Sequence, residues 1–237
     1  MSLELNNYTY NSRNRSRFHQ TLLKIRAWFY EREIVKSLFE MMWRQKSSWL
    51  NLDIWCWPWY KTGIILEHLI NNDWKLIWIE PAKVPRRLGQ KKLKWKNIEI
   101  REWDSSDLSN YEDVENIFCN QMTHHLDKEW KEELFRNAYK SLSNWWRIII
   151  LDTTIPKSWF LALIFRWLIK WYRDYIWKWN TYHNISTQEY IDLLQEAWFE
   201  IDLRFTRHFY ILWKIWEIWT KLGLLYPFMT QIVARKK

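Results

Sequence analysis

Glycine is almost missing from this chain. There are 3 in 237 residues, where ordinary usage near 7% would give roughly 17. Cysteine is scarce as well: Cys56 and Cys119 stand far apart, with no CxxC and no Cys/His cluster at metal-ligand spacing. That argues against a disulfide scaffold and a structural zinc site. Met1 to Arg17 has no apolar core of the kind a secretory signal carries. The longest greasy stretch, Trp159 to Tyr172, is broken by Arg166 and Lys170 and is too short to span a bilayer. These absences lead us to expect a soluble, cytoplasmic protein, with contact to a membrane surface left open.

What the chain has in excess is tryptophan, 22 residues. Together the two residue types amount to an ordinary number of glycines with a few tryptophans. This suggests that many of the Trp positions are places where the fold wants Gly. At 48% hydrophobic and 27% charged, the chain can bury a core and is not disordered by composition. The formal charge of +9 permits an acidic partner, nucleic acid or an anionic membrane, without requiring one. Part of it is local, in Lys83, Arg86, Arg87, Lys91, Lys92, Lys94 and Lys96. A solvated helix face is the plainer reading of that run, and a docking patch the other.

Periodicity predicts helices over 21–45, 62–70, 128–142 and 187–197, and a basic helix after Glu80. Between them lie short apolar strands: Leu50–Ile54, Lys75–Glu80, Ile98–Arg101, Val114–Cys119 and Arg147–Leu151. A turn is expected around Asp104–Asp107, with closing strands at Ile201–Arg207 and Met229–Ala234. Strands alternating with helices at this spacing imply βαβ units, hence an α/β fold with a doubly wound, mainly parallel sheet. The chain divides into an N-terminal helical segment (1–46), a core (47–154), an aromatic and basic helical insertion (155–186), and a closing helix and strands (187–237) of the same domain.

The segment that carries chemistry is Leu52-Asp53-Ile54-Trp55-Cys56-Trp57-Pro58-Trp59. A strand followed by a tight turn into a helix is where an α/β fold binds its cofactor. Such turns need positive φ or close backbone approach to the ligand, natural for Gly and poor for a bulky residue. With each Trp read as Gly, the segment resembles motif I of the class I S-adenosylmethionine-dependent methyltransferases. Glu80 matches the family's acid at the end of the second strand, and Asp104, with Ser105 beside it, matches the acid near the adenine. Asn120 falls where the fourth strand ends. Thr123-His124-His125-Leu126 is similar to a segment common in type 11 methyltransferases, and Ala197-Trp198-Phe199 falls on their frequent Ala-Gly-Phe.

The resemblance covers residues 49–151 and 187–204. It implies a Rossmann-like methyltransferase fold with a seven-stranded sheet and S-adenosyl-L-methionine as cofactor. Asp53, Trp55, Cys56, Trp57, Trp59, Glu80, Asp104, Ser105 and Asn120 are its implied binding residues. Positions 55, 57, 59, 103, 145, 146 and 198 all carry Trp where the family favours Gly. Some bacteria read UGA as glycine and others as tryptophan, so translation with the wrong table would produce this pattern. If the indoles are real, they fill the cofactor's space and a cofactor-free binding protein is the alternative.

The resemblance implies an enzyme that moves a methyl group to a small acceptor by in-line displacement. The acceptor is hydrophobic or lipid-like if the insertion, with Trp159, Phe160, Leu163, Trp167 and Trp171, forms a lid; packing of these aromatics into the core is the other reading. Residues 159–173 are then also the candidate membrane contact. His124 and His125 have the side chain of a general base, but turn histidines packed near the cofactor are the commoner role, and no catalytic residue or metal is assigned. A nicotinamide-binding GxGxxG would need Gly at 55, 57 and 60, and position 60 is Tyr. An RNA methyltransferase stays as an alternative on the basic run alone, since Asn120-Gln121-Met122 lacks the proline of adenine N-methylating enzymes.

Overall fold

The computed structural model describes residues 50–54, 75–80, 86–87, 90, 98–102, 105–120, 122–152, 154, 183, 185–209 and 229–237. Eight strands are formed: β1 (Leu50–Ile54), β2 (Lys75–Ile79), β3 (Ile98–Arg101), β4 (Val114–Asn120), β5 (Leu142–Asp152), β6 (Glu200–Ile201), β7 (Arg207–Phe209) and β8 (Met229–Arg235). Helices α1 (Lys128–Ser141) and α2 (Thr187–Glu196) accompany them, and Arg86, Arg87 and Gln90 are also helical. The sheet runs β3-β2-β1-β4-β5-β8-β6, with β7 also on β8. β1 to β5 are mutually parallel, and β8 is antiparallel to β5, β6 and β7.

β5 occupies one edge of β8 from Thr230 to Arg235, so β6 and β7 share the other. They are two pieces of one edge strand, and the sheet has the seven ladder positions expected. The closing strand expected over Ile201–Arg207 is thus split at Asp202. The Asp202 N–H donates to the Val233 carbonyl at 2.8 Å, while its carboxylate takes the Arg204 N–H and guanidinium at 3.2 and 3.1 Å. That pulls residues 203–205 out as a turn. The ladder resumes where the Val233 N–H donates to Thr206 Oγ1 at 3.3 Å.

The central strands are buried on both faces, as continuous apolar runs in parallel sheets should be. On one face Leu52, Ile54, Ile77, Ile79, Ile117, Ile148 and Ile150 join Leu134, Phe135 and Ala138 of α1 and Tyr190, Leu193 and Leu194 of α2 in one core. On the other, Trp78, Phe118, Ile149 and Val233 are also buried. Asp127 caps α1, accepting from the Trp130 N–H at 2.9 Å. Ser186 and Glu189 form a reciprocal capping box on α2. In place of the turn expected at Asp104–Asp107, Ser105–Asn110 forms a short 3-10 helix, and Asp104 itself lies outside the described residues. The helices expected over 21–45 and 62–70 also lie outside them, as does nearly all of the insertion at 155–186.

Candidate active site

Parallel pairing aligns the strand ends. Ile54 stands opposite Ile79 of β2 and Cys119 of β4, and Cys119 stands opposite Ile150 of β5. Strand order reverses between β1 and β4, and in open α/β sheets the crevice beyond the carboxyl ends at that switch point is the ligand site. Asp53, Glu80 and Asn120 lie at that edge, buried to 1%, 0% and 9% exposure. The Glu80 backbone is held in place: its N–H donates to the Arg101 carbonyl at 3.0 Å, and its carbonyl accepts from Arg86 at 3.0 Å. Arg86 also pairs with Glu102 at 3.0 Å. One charge of the basic run therefore serves the local structure.

The donor chemistry of the cofactor fits these groups. An ionised carboxylate only accepts hydrogen bonds, and an ammonium and a ribose diol are donors. Of the other residues implied by the resemblance, Trp55, Cys56, Trp57, Trp59 and Asp104 lie outside the described residues, and Ser105 is described in backbone only. Hollows of about 400 Å³ do occur beside Trp198 and near Lys75. Neither is lined by Asp53, Glu80 or Asn120.

Beside this edge sits a cluster that sequence reading found only in part. The 3-10 turn Thr123–His125 follows β4 and meets Asp152, the last residue of β5. His124 Nδ1 lies 2.5 Å from Asp152 Oδ1, and the His124 N–H donates to Oδ2 at 2.9 Å. The Thr123 hydroxyl also donates to Oδ2 and lies 2.8 Å from the Tyr190 hydroxyl. Asp152 is fully buried. Burial by itself would raise its carboxyl, but the His124 imidazole, the Thr123 hydroxyl and the His124 N–H outweigh it and hold it below the ordinary carboxylate value.

Because the carboxylate can only accept, His124 Nδ1 carries its proton toward Asp152. Thr123 spends its one proton there too, so the Tyr190 hydroxyl donates to Thr123. Burial pushes the Tyr190 phenol well up, keeping it a neutral donor. Beneath the turn, buried Lys131 donates to the Leu126 carbonyl and, at 2.8 Å, to that of His183. Its ammonium is pulled down to about 8, chiefly by burial. The His183 N–H in turn donates to the His124 carbonyl at 2.8 Å, stitching the chain before α2 to the turn. Asp152 escaped sequence reading, although its setting was visible: an acid closing an apolar strand, as Asp53 nearly closes β1.

Three described residues other than glycine have positive φ: Asp113, Trp145 and Trp198. Trp198 is the C′ residue of α2, with φ 75°. Its N–H donates to the Gln195 carbonyl at 2.9 Å and that of Phe199 to Leu194 at 3.0 Å, a complete Schellman motif. Trp145, with φ 72°, sits in β5 where the pairing with β4 slips between Val114 and Asn116. Trp146, also expected at a glycine position, has no positive φ and packs against the core.

No family model matches the sequence, and no curated protein matches it. Among solved structures, a methyltransferase from Methanosarcina mazei described as S-adenosylmethionine-dependent is similar at 16% identity and TM-score 0.55, over 79% of this chain and 92% of that one. The YcgJ protein of Bacillus subtilis is similar at 12% identity and TM-score 0.61, over 85% and 99%. An O-methyltransferase family 2 protein from Planctomyces limnophilus, solved with apigenin, gives 14% and 0.56 over 79% of this chain. This chain spans about half the length of that last one, 51%. The sheet order with its one antiparallel strand, and these likenesses, show that the chain has the Rossmann-like fold of the S-adenosylmethionine-dependent methyltransferases.

Proposed function

We propose that the protein is an S-adenosylmethionine-dependent methyltransferase acting on a small acceptor. The observation that carries this reading is the convergence of Asp53, Glu80 and Asn120, all buried, at the switch-point edge of a methyltransferase-type sheet. Bound there, the cofactor would supply a methyl group already activated by its sulfonium. The protein's task is then to hold the nucleophile in line with that methyl, and alignment of this kind removes much of a barrier. Glu80 would hold the ribose hydroxyls and Asp53 the amino-acid end, while Asn120 borders the reacting centre.

A phenolic acceptor is one reading in keeping with the apigenin-bound neighbour. The aromatic residues at 159–173 would cover an apolar acceptor as a lid, or rest on a membrane surface, in a cytoplasmic enzyme. A cofactor-free binding protein is the second reading, favoured by the indoles at 55, 57 and 59 taken literally. Calorimetric titration with S-adenosylhomocysteine separates the two. Glu80→Ala should weaken that binding roughly 100-fold or more, because hydrogen bonds to a charged group are worth about 1.5–3 kcal/mol each. Unchanged affinity in a folded Glu80→Ala protein would remove Glu80 from the site.

A further inference from the structure

We infer that the end of the sheet opposite the cofactor edge holds a second binding site, for a doubly charged phosphate, formed by Arg147, Arg204 and Arg235 around Asp202. The site stands apart from the methyltransferase reading. Ile148 and Ile150 belong to the core beneath α1 and α2, so alternation along β5 turns Arg147 to the other face of the sheet. There it stands opposite Asn116 of β4 on one side and Arg235 of β8 on the other. Asn116 lies four residues before Asn120 on β4, roughly 13 Å back along the strand.

Charge does not close within this group. Arg147 is 1% exposed, and buried charges are normally paired. Its guanidinium is pulled down to about 10, first by burial and then by Arg235, with Asp202 acting the other way. It is therefore still charged at neutral pH. A carboxylate accepts about four hydrogen bonds, and those of Asp202 are taken. Oδ1 accepts from the Arg204 N–H at 3.2 Å and from its Nε at 3.1 Å. Oδ2 accepts from Arg204 Nη2 at 3.2 Å and from Arg235 at 2.5 Å. No described residue accepts from Arg147 Nε or Nη1, or from Arg235 Nε. The Phe205 ring, 6.0 Å from the Arg147 guanidinium, offers a π face but no counter-charge. Three guanidiniums thus share one carboxylate, an excess of two positive charges.

That excess specifies the ligand. Water can satisfy an orphan N–H group but cannot balance the charge. A phosphate or phosphomonoester carries about −1.5 to −2 at neutral pH and at least three acceptor oxygens, whereas a carboxylate or a phosphodiester carries one charge. Asn116 adds a second criterion. Its Nδ2 donates to Asn51 at 2.7 Å, while its buried Oδ1 has no donor among the described residues. Hydrogen phosphate has a hydroxyl to give it, and sulfate has none. Entry is from the side of Arg204 and Arg235, whose side chains are 70% and 24% exposed.

Calorimetric titration of the full chain with inorganic phosphate, at pH 7.5 and constant ionic strength, tests the site. One phosphate should bind per chain, with sulfate roughly 3–10-fold weaker for want of the hydroxyl. At a hundredfold excess over Kd, phosphate should raise Tm by about 5–10 °C. Arg147→Met should abolish this binding, with Tm in phosphate-free buffer unchanged or higher, since no buried charge is left to balance. Arg204→Gln, changed at an exposed side chain, keeps the fold and should bind roughly tenfold more weakly. Absence of saturable phosphate binding overturns the proposal, as does acetate binding as tightly as phosphate. So does a phosphate-dependent rise in Tm that persists undiminished in Arg147→Met, which is general salt stabilisation. A Tm several degrees lower for Arg147→Met without phosphate means that Arg147 is already satisfied, and also overturns it. Sulfate as tight as phosphate removes Asn116 from the site. Glycerol 2-phosphate binding more tightly than phosphate assigns the site to phosphomonoesters, and the reverse order assigns it to the free ion.

Discussion

Replacing Trp55, Trp57 and Trp59 together with glycine is expected to strengthen S-adenosylhomocysteine binding by at least roughly 30-fold. Asp53 precedes this stretch on a strand whose end faces the switch point of the sheet. A chain leaving such a strand for a cofactor must turn sharply and bring its backbone against the ligand. Glycine does this without penalty. If binding draws two of these three positions into left-handed backbone, the cost is about 2–4 kcal/mol, and tenfold in affinity corresponds to about 1.4 kcal/mol. Side-chain volume in the cofactor's path adds to that. Calorimetry on both chains measures the difference directly. Equal affinity would show that the loop does not pass beneath the cofactor, and would return the protein to the cofactor-free reading.

The second large effect is on stability. Asp152→Ala is expected to cost about 3–5 kcal/mol, since each buried donor left without its acceptor costs about 1–3 kcal/mol. It strands the His124 imidazole, the His124 N–H and the Thr123 hydroxyl in the core. For a chain of this size that lowers Tm by roughly 6–20 °C. Asp152→Asn keeps the shape and should cost less. A loss below about 1 kcal/mol for Asp152→Ala would mean that the cluster is held from elsewhere.

The same carboxylate makes stability depend on pH. Asp152 and Asp202 are both held below the ordinary value of 3.8: burial alone would raise each, and His124 outweighs it for the first, Arg204 and Arg235 for the second. In each case the unfolded chain takes up the proton first. Their contribution is therefore complete above the unfolded carboxyl value near pH 4 and is lost as pH falls below it toward the folded value. Acid unfolding of Asp152→Asn should begin from a lower plateau and fall less steeply in that range. A parallel curve would exclude Asp152 from the linkage.

The site was legible in proportion to how local its signals are. Asp53 and Glu80 could be named because they fall on motif positions of the family that the sequence resembles, and the fold does bring both to one edge of the sheet. His124 could be named from its segment, but not its partner, since Asp152 lies 28 residues further on. Only the pairing of β4 with β5 makes the two neighbours. Thr123 and Tyr190 are 67 apart, and nothing along the chain announces their contact.

The amino-acid sequence by itself determined the core strands, the alternation that makes the sheet parallel, and the mismatch between tryptophan and turns. These follow from side-chain pattern and backbone preference within a few residues. Tertiary structure decided where the closing strand breaks: β8 takes the Asp202 N–H through Val233 and its carboxylate through Arg235, while Arg204 folds back onto the same carboxylate. It also decided which suspected glycine positions need positive φ, separating Trp145 and Trp198 from Trp146. The register shift between β4 and β5 imposes that conformation on Trp145, whereas at Trp198 the end of α2 imposes it through bonds to Gln195 and Leu194.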